Sequence, residues 1–205
     1  TLAGFKKALQ SGAKWIELDT QLSADNTPVI FHDETVDRCT NGKNKVADLT
    51  LEQLQALDAG SWFSKEFAGE QIQSLEQTLA FFIANDLSMN LEIKIHHDHQ
   101  VQPLVDKVAE VLEKMNFPHE KLIISSFSTL ALTHCRQVMP TIRLGYITEH
   151  EPLATLAKLK SINLYSLHID YKILTEEMAK EVTQSGLKLN IWTLNDIQQA
   201  SKFRA

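Results

Sequence analysis

The sequence predicts an α/β fold, either a barrel or an open parallel sheet. Three observations carry that reading. Short β-type runs alternate with amphipathic helical stretches along most of the 205 residues. Several strand candidates are apolar on both faces, as in Leu122-Ile-Ile124 and Leu189-Asn-Ile-Trp192, which suits a sheet covered by helices. Capping residues also stand where the helical stretches begin and end.

Taken in order, strands are expected over 14–19, 28–32, 89–95, 121–126, 142–147, 163–169 and 187–193. Helical stretches are expected at about 2–10, 75–85, 100–115, 128–138, 151–160, 175–185 and 195–203. Ser74 followed by Gln77 has the form of a capping box, and Thr175 precedes Glu176, Glu177 and Met178. Gly12 and Gly186 follow helical stretches, where a left-handed residue ends a helix. Residues 33–74 break the alternation, with Asn41-Gly42, Ala59-Gly-Ser-Trp-Phe63, Gly69 and one helix at 50–57. This reads as an excursion on the surface of the main domain, and such excursions tend to carry function.

Asp25-Asn26 is a turn signal between two β-type runs, so 28–32 is expected to be the arm of a hairpin rather than a core strand. With a two-residue loop at 25 and 26, His32 would stand opposite Asp19, with Cβ atoms about 5 Å apart.

The bulk properties bound the function. A chain that is 43% hydrophobic and 22% charged has ordinary globular composition, and its length fits one domain over 1–205. A net charge of -6 offers no footprint for nucleic acid. No lysine-arginine run addresses an anionic membrane, and no apolar stretch approaches the ~18 residues of a membrane span. Cys39 and Cys135 have neither metal-ligand spacing nor the density of a disulfide scaffold. They read as unpaired packing residues in a reducing, cytoplasmic setting.

Three runs carry the chemistry: Trp15-Ile-Glu-Leu-Asp19, Pro28-Val-Ile-Phe-His-Asp33 and Met89-Asn-Leu-Glu-Ile-Lys94. Glu17 and Asp19 share one face of a strand, as do Glu92 and Lys94. Carboxylates crowded on a strand face repel unless a cation compensates them. Three carboxylates without cysteine suit a hard cation, Mg²⁺ or Ca²⁺. On composition alone, solvated strand ends and a surface ion pair explain the same residues equally well. His32 by itself reads more readily as a structural histidine than as a catalyst.

The ordered pattern is more informative. Thr1-Leu-x-x-Phe5, Ile16-Glu-Leu-Asp19, Pro28-Val-Ile-Phe-His-Asp33 and Asp37-Arg38-x-Thr40-Asn-Gly42 come first. Ala59-Gly-Ser-Trp62, Ser74-Leu-Glu76, Asn90-Leu-Glu-Ile-Lys94, Ser125-Ser-Phe127 and Trp192-Thr-Leu-Asn195 follow. In this order and over nearly the whole chain, they closely resemble the glycerophosphodiester phosphodiesterase family, in its bacterial cytoplasmic form. The resemblance implies a TIM-type (β/α)₈ barrel with a small insertion after the second barrel strand, at about 33–74. It implies a divalent metal, Mg²⁺ or Ca²⁺, on Glu17, Asp19 and Glu92, and it makes His32 one of two acid–base histidines. Lys94 is implied near the phosphate.

The family's opening strand, ending His-Arg-Gly, and its last strand do not appear in the sequence. Six strands besides the hairpin arm plus those two would make eight, so the chain is expected to be a barrel without its terminal strands. The partner histidine and an arginine would then belong before Thr1.

The activity implied is hydrolysis of a small-molecule glycerophosphodiester to sn-glycerol 3-phosphate and an alcohol. No nucleic acid or stable membrane partner is implied, and the oligomeric state is left open. A related barrel phosphodiesterase of lysophospholipase D or phosphoinositide phospholipase type is the alternative within enzymes. A catalytically dead barrel used as a binding module is the alternative outside them. Phe127 and Trp192 are the substrate-binding candidates, with core packing as the competing account. Trp62 and Phe63 read as a lid or an anchor of the excursion. His96-His-Asp-His99 reads as a solvated loop, and His168, expected at a strand end, as a weaker pocket candidate.

Overall fold

In the computed structural model, which describes residues 1–150 and 159–203, the strands and helices follow the expected order, with several bounds shifted by two or three residues. The expected stretch at 151–160 lies almost wholly outside the described residues. The chain divides into two compact units, Thr1–Ile123 and Ile124–Ala205.

The first unit opens with helix α1 (Leu2–Gln10), strand β1 (Trp15–Leu22) and strand β2 (Pro28–Ile30). The excursion follows, with the short helix α2 (Leu51–Gln55). Helix α3 (Leu75–Ala84), strand β3 (Ser88–Ile93) and helix α4 (Val101–Lys114) complete it. The strand order is β2-β1-β3, with β1 and β3 parallel and β2 antiparallel on the other side. So 28–30 is indeed a hairpin arm.

Both α2 and α3 begin with complete capping boxes, Thr50 with Gln53 and Ser74 with Gln77. Gly12 terminates α1 at φ 83°, a conformation a Cβ would oppose. The core of this unit packs Phe5 against Phe81 and Phe82, with ring centroids 6.2 and 5.6 Å apart. In α4, Val101, Leu104, Val105, Val108 and Leu112 form the buried stripe, one face of a 3.6-residue period.

The hairpin register differs from the expected one by a residue. Thr20 stands opposite Ile30, Gln21 opposite Val29 and Leu22 opposite Pro28. The turn uses three residues, with Asn26 in the left-handed region at φ 57°, and it closes where Ser23 N–H donates to Thr27 O at 3.0 Å. A three-residue loop of this kind is the next commonest hairpin connection after the two-residue one. The extra loop residue shifts the pairing, so Phe31 N–H, not His32, reaches Asp19 O, at 3.0 Å. His32 lies beyond the ladder.

The excursion has a small core of its own. Val29, Val36, Val46, Leu54, Ala59 and Ile72 are buried together, with Phe31, Leu49, Leu51 and Leu57 packed against them. Burying these side chains, at roughly 1.5–3 kcal/mol for each large one, is what holds a long loop in one shape.

The second unit contains β4 (Leu122–Ser126, entering from the first), β5 (Arg143–Thr148), β6 (Ser166–Asp170) and β7 (Lys188–Trp192), in that order across the sheet. Its helices among the described residues are α5 (Thr129–Val138), α6 (Glu176–Gln184) and α7 (Ile197–Ser201). The β5–β6 and β6–β7 pairs are parallel. Leu167 and Ile169 of β6 pack with Leu174, Ala179 and Val182. Thr175 caps α6 by accepting from Met178 N–H, and Gly186 follows that helix at φ 87°. No helix among the described residues is long and apolar enough to cross a membrane.

Candidate functional site

Strand periodicity puts Glu17, Asp19 and Gln21 on one side of β1, and Asn90, Glu92 and Lys94 on one side of β3 and its exit. The parallel register sets Asp19 beside Glu92 and Glu17 beside Asn90. One carboxylate oxygen each from Glu17, Asp19 and Glu92 then lies within 4.8 Å of the others. Among the described residues this is the only such grouping of acids, histidines and cysteines. Glu92 lies more than seventy positions along the chain from Glu17 and Asp19; the β1–β3 ladder brings them together.

Lys94 Nζ is 3.0 Å from Asp19 Oδ1 and 2.8 Å from Glu92 Oε1, so one ammonium bridges two of the acids. Desolvation of the ammonium works against its charge, but Asp19 and Glu92 outweigh it and the Lys94 pKa is raised. Glu92 is buried, at 6% exposure, and desolvation raises its pKa against the pull of Lys94. Desolvation and then repulsion from Asp19 and Glu92 push Glu17 up to about 8. The surface of Glu17 is nonetheless open to solvent, so like-charge crowding is the firmer of its two causes.

Three carboxyl groups share one ammonium, and two of them, on Asp19 and Glu92, are largely screened from solvent. An oxygen-only donor set at this spacing fits a hard cation, whose ligands stand about 2.0–2.6 Å from the ion. Asn90 adds a buried Oδ1 without a hydrogen-bond partner on the same face. The residues present therefore fit a divalent metal.

His32 is an exposed imidazole with a tightly organised support. Its Nδ1 lies 2.7 Å from Asp33 Oδ1. Arg38 donates to the same carboxylate through Nε, at 2.6 Å to Oδ2, and through a terminal nitrogen, at 2.8 Å to Oδ1. Hydrogen bonds from Arg38 above all, then from His32, overcome desolvation and hold the Asp33 carboxyl down to about 2. An ionised carboxylate has no proton to give, so His32 Nδ1 carries the shared hydrogen and Nε2 is left available.

Gln21 holds the backbone on both sides of His32. Its buried amide nitrogen donates to Phe31 O and to Asp33 O, each at 2.8 Å. The opposite amide orientation would set an oxygen against two carbonyls, so the hydrogen bonds fix the assignment. Neither Gln21 nor Arg38 is singled out as functional by the sequence reading. The signal for Gln21 is its place on the stripe begun by Glu17 and Asp19; for Arg38 it is only proximity in sequence to Asp33.

The remaining candidates divide clearly. Phe127 directly follows β4 and Trp192 ends β7, and their rings meet edge to face at 5.7 Å. Phe127 is 42% exposed, so packing does not consume it. Trp192 Nε1 donates to His168 O at 3.2 Å. His168 itself is not at a strand end. It is buried in the middle of β6, where Nε2 contacts Ser166 Oγ at 2.8 Å and Asn190 Nδ2 at 2.9 Å, and burial lowers its pKa to about 4. Trp62 and Phe63 are exposed, at 51% and 71%, on the excursion, with Trp62 Nε1 donating to Ala59 O. His97 and His99 stack on each other at the surface and form no metal-ligand group. Cys39 and Cys135 are free.

Comparisons with known proteins identify the family of this chain. The family model described as "Glycerophosphoryl diester phosphodiesterase family" matches residues 1–205. A glycerophosphodiester phosphodiesterase of Caldanaerobacter subterraneus is 36% identical over 196 residues, covering 95% of this chain and 79% of the relative. One from Bacillus subtilis is 30% identical over 96% of this chain and 72% of its own length. Among solved structures, an Oleispira antarctica phosphodiesterase in complex with the product sn-glycerol-3-phosphate is 32% identical, with a TM-score of 0.93 over 98% of this chain and 81% of that one. A Thermotoga maritima glycerophosphodiester phosphodiesterase is 28% identical, with a TM-score of 0.74 over 100% of this chain and 83% of that one. These likenesses give the chain the TIM-type (β/α)₈ fold class expected from its sequence.

Proposed function

We propose that this chain, which belongs to the glycerophosphoryl diester phosphodiesterase family, is a metal-dependent hydrolase releasing sn-glycerol 3-phosphate and an alcohol from small glycerophosphodiesters. The observation that carries this reading is the convergence of Glu17, Asp19 and Glu92 within 4.8 Å, bridged by Lys94.

In this reading Glu17, Asp19 and Glu92 hold the metal, which is Mg²⁺ or Ca²⁺ because every donor is oxygen. When bound, such an ion supplies electrostatic stabilisation to the charge that develops on the phosphoryl oxygens. The chain's own residues do the rest. Lys94 offers an ammonium to a phosphoryl oxygen. His32 moves a proton at Nε2, the nitrogen left available by the Asp33 hydrogen bond, and general acid–base work of this kind is worth ~10²–10⁴-fold in rate. The two free cysteines suit a reducing, cytoplasmic setting.

The test is release of sn-glycerol 3-phosphate from glycerophosphocholine by the purified protein. Turnover should be abolished by a chelator and restored by added Mg²⁺ or Ca²⁺. Turnover that is indifferent to chelation would overturn the metal reading, and release of a lysophospholipid head group in preference to glycerophosphocholine would overturn the substrate class.

A further inference from the structure

We infer that Gln21 and Arg38 are positioning residues that act together on His32, one through its backbone and one through its ring; this rests on the catalytic reading of His32. The inference begins with a problem of restraint. His32 lies outside the β1–β2 ladder and its side chain is 61% exposed, so strand pairing does not hold it. An exposed side chain at the start of a long excursion samples several rotamers. Proton transfer needs one.

Two separate devices restrict it. Gln21 stands on the same face of β1 as Glu17 and Asp19, one strand period beyond Asp19. Its side chain is buried, and each amide hydrogen reaches one of the two carbonyls flanking His32, at 2.8 Å. The Cα of His32 is thereby tied to the rigid strand that carries two of the acids. The second device is the ring grip. Arg38 holds the Asp33 carboxylate in two-point contact, at 2.6 and 2.8 Å, and that carboxylate fixes Nδ1 of the imidazole at 2.7 Å. The result is a defined ring plane, a defined tautomer and Nε2 directed away from Asp33.

Energetics separate this role from a structural one. An ion pair with a solvent-exposed arginine gains little stability from its Coulomb attraction. The Arg38 side chain is 61% exposed, so its two-point geometry has little to do for the fold. Misplacement of a catalytic group by about 1 Å is worth ~10²-fold in rate. Geometry at His32 is the larger effect.

The experiment compares His32→Ala, Gln21→Leu, Arg38→Ala and Arg38→Lys in the purified, metal-loaded protein on glycerophosphocholine. Arg38→Ala should lower kcat by about 10–100-fold with KM within about twofold, leave the melting temperature nearly unchanged, and regain activity with added guanidinium. Arg38→Lys should recover little, because a lysine cannot make two parallel contacts. Gln21→Leu should lower kcat similarly, and ¹⁵N shifts of the His32 ring in both variants should show loss of the single Nδ1–H tautomer. If Gln21→Leu does not fold, the Arg38 series and its guanidinium rescue decide alone. Near-normal kcat in Arg38→Ala with an unchanged tautomer, while His32→Ala is inactive, overturns this inference and leaves the catalytic reading intact. An active His32→Ala overturns the reading beneath it.

Discussion

Asp19 and Glu92 stand directly opposite one another across the parallel β1–β3 ladder, and Lys94 Nζ lies between their carboxylates at 3.0 and 2.8 Å. Two acids brought this close in a half-dry setting need a cation. The molecule supplies one from its own chain, and with Glu17 added it has the oxygen ligands for a second.

Removing the resident ammonium should therefore be costly when no metal is present. Lys94→Met leaves three facing carboxylates, and breaking a largely buried ion pair by deleting one partner costs about 3–5 kcal/mol. Urea unfolding in the presence of a chelator measures this. Added Mg²⁺ or Ca²⁺ should recover much of the loss, because a ligand at 100 times its Kd contributes about 2.7 kcal/mol.

Glu17→Gln should act in the opposite sense on the metal-free protein. The folded-state pKa of Glu17, about 8, lies above its ordinary value of 4.5. Between those values the folded chain keeps a proton that the unfolded chain releases, so stability contributed by this group falls as pH rises from 4.5 to 8. The glutamine variant should flatten that decline in chelated samples. It should also abolish the metal-induced rise in melting temperature and the turnover. A variant that unfolds with the same pH profile as the parent would remove Glu17 from the cluster's electrostatics.

His168 supplies a separate pH dependence. Burial lowers its pKa from 6.5 to about 4, so the folded state resists a proton that the unfolded state accepts. Stability is fully present above 6.5 and is lost as pH falls toward 4, by about 3 kcal/mol if the whole shift is expressed. Replacing it with a non-titrating group, His168→Gln, should make the unfolding free energy less dependent on pH in that window. An unchanged slope between pH 7 and pH 4 would rule out His168 as the source.

The excursion's core is open to a direct test. Leu54 is fully buried among Val29, Val36, Val46, Ala59 and Ile72, and truncation to alanine should cost about 3 kcal/mol. Limited proteolysis should then cut within 33–74 before the rest of the chain. Arg38 lies in the same excursion, so kcat in Leu54→Ala should fall while the metal-induced shift in melting temperature persists. Equal proteolytic resistance in the two proteins would show that this core does not hold the loop.

Much of this was legible beforehand because it depends on local rules. Alternation of apolar residues located β1 and β3, and the Ser74–Gln77 spacing located the start of α3, since a capping box involves only neighbours in sequence. The pairing of Glu17 with Asp19 on one face followed from strand period alone. The hairpin was also legible, but not its register. Asp25-Asn26 announces a turn without stating its length, and the left-handed Asn26 made the loop one residue longer. That single residue moved Phe31, rather than His32, opposite Asp19. His168 stands inside its strand rather than at its end for a similar reason: strand β6 begins and ends later than its apolar run suggests.

Which residues are chemically able to act can be read along the chain: three acids, a lysine and a histidine on runs whose periodicity assigns them faces. How they meet depends on the folded chain. The parallel register placed Glu92 beside Asp19, and Lys94 between them. The fold of the excursion brought Arg38 onto Asp33, and the hairpin's exit brought two carbonyls onto Gln21. Strand period is a property of neighbouring residues and can be read along the chain. Register, loop length and side-chain hydrogen bonds between distant segments depend on how the whole unit packs.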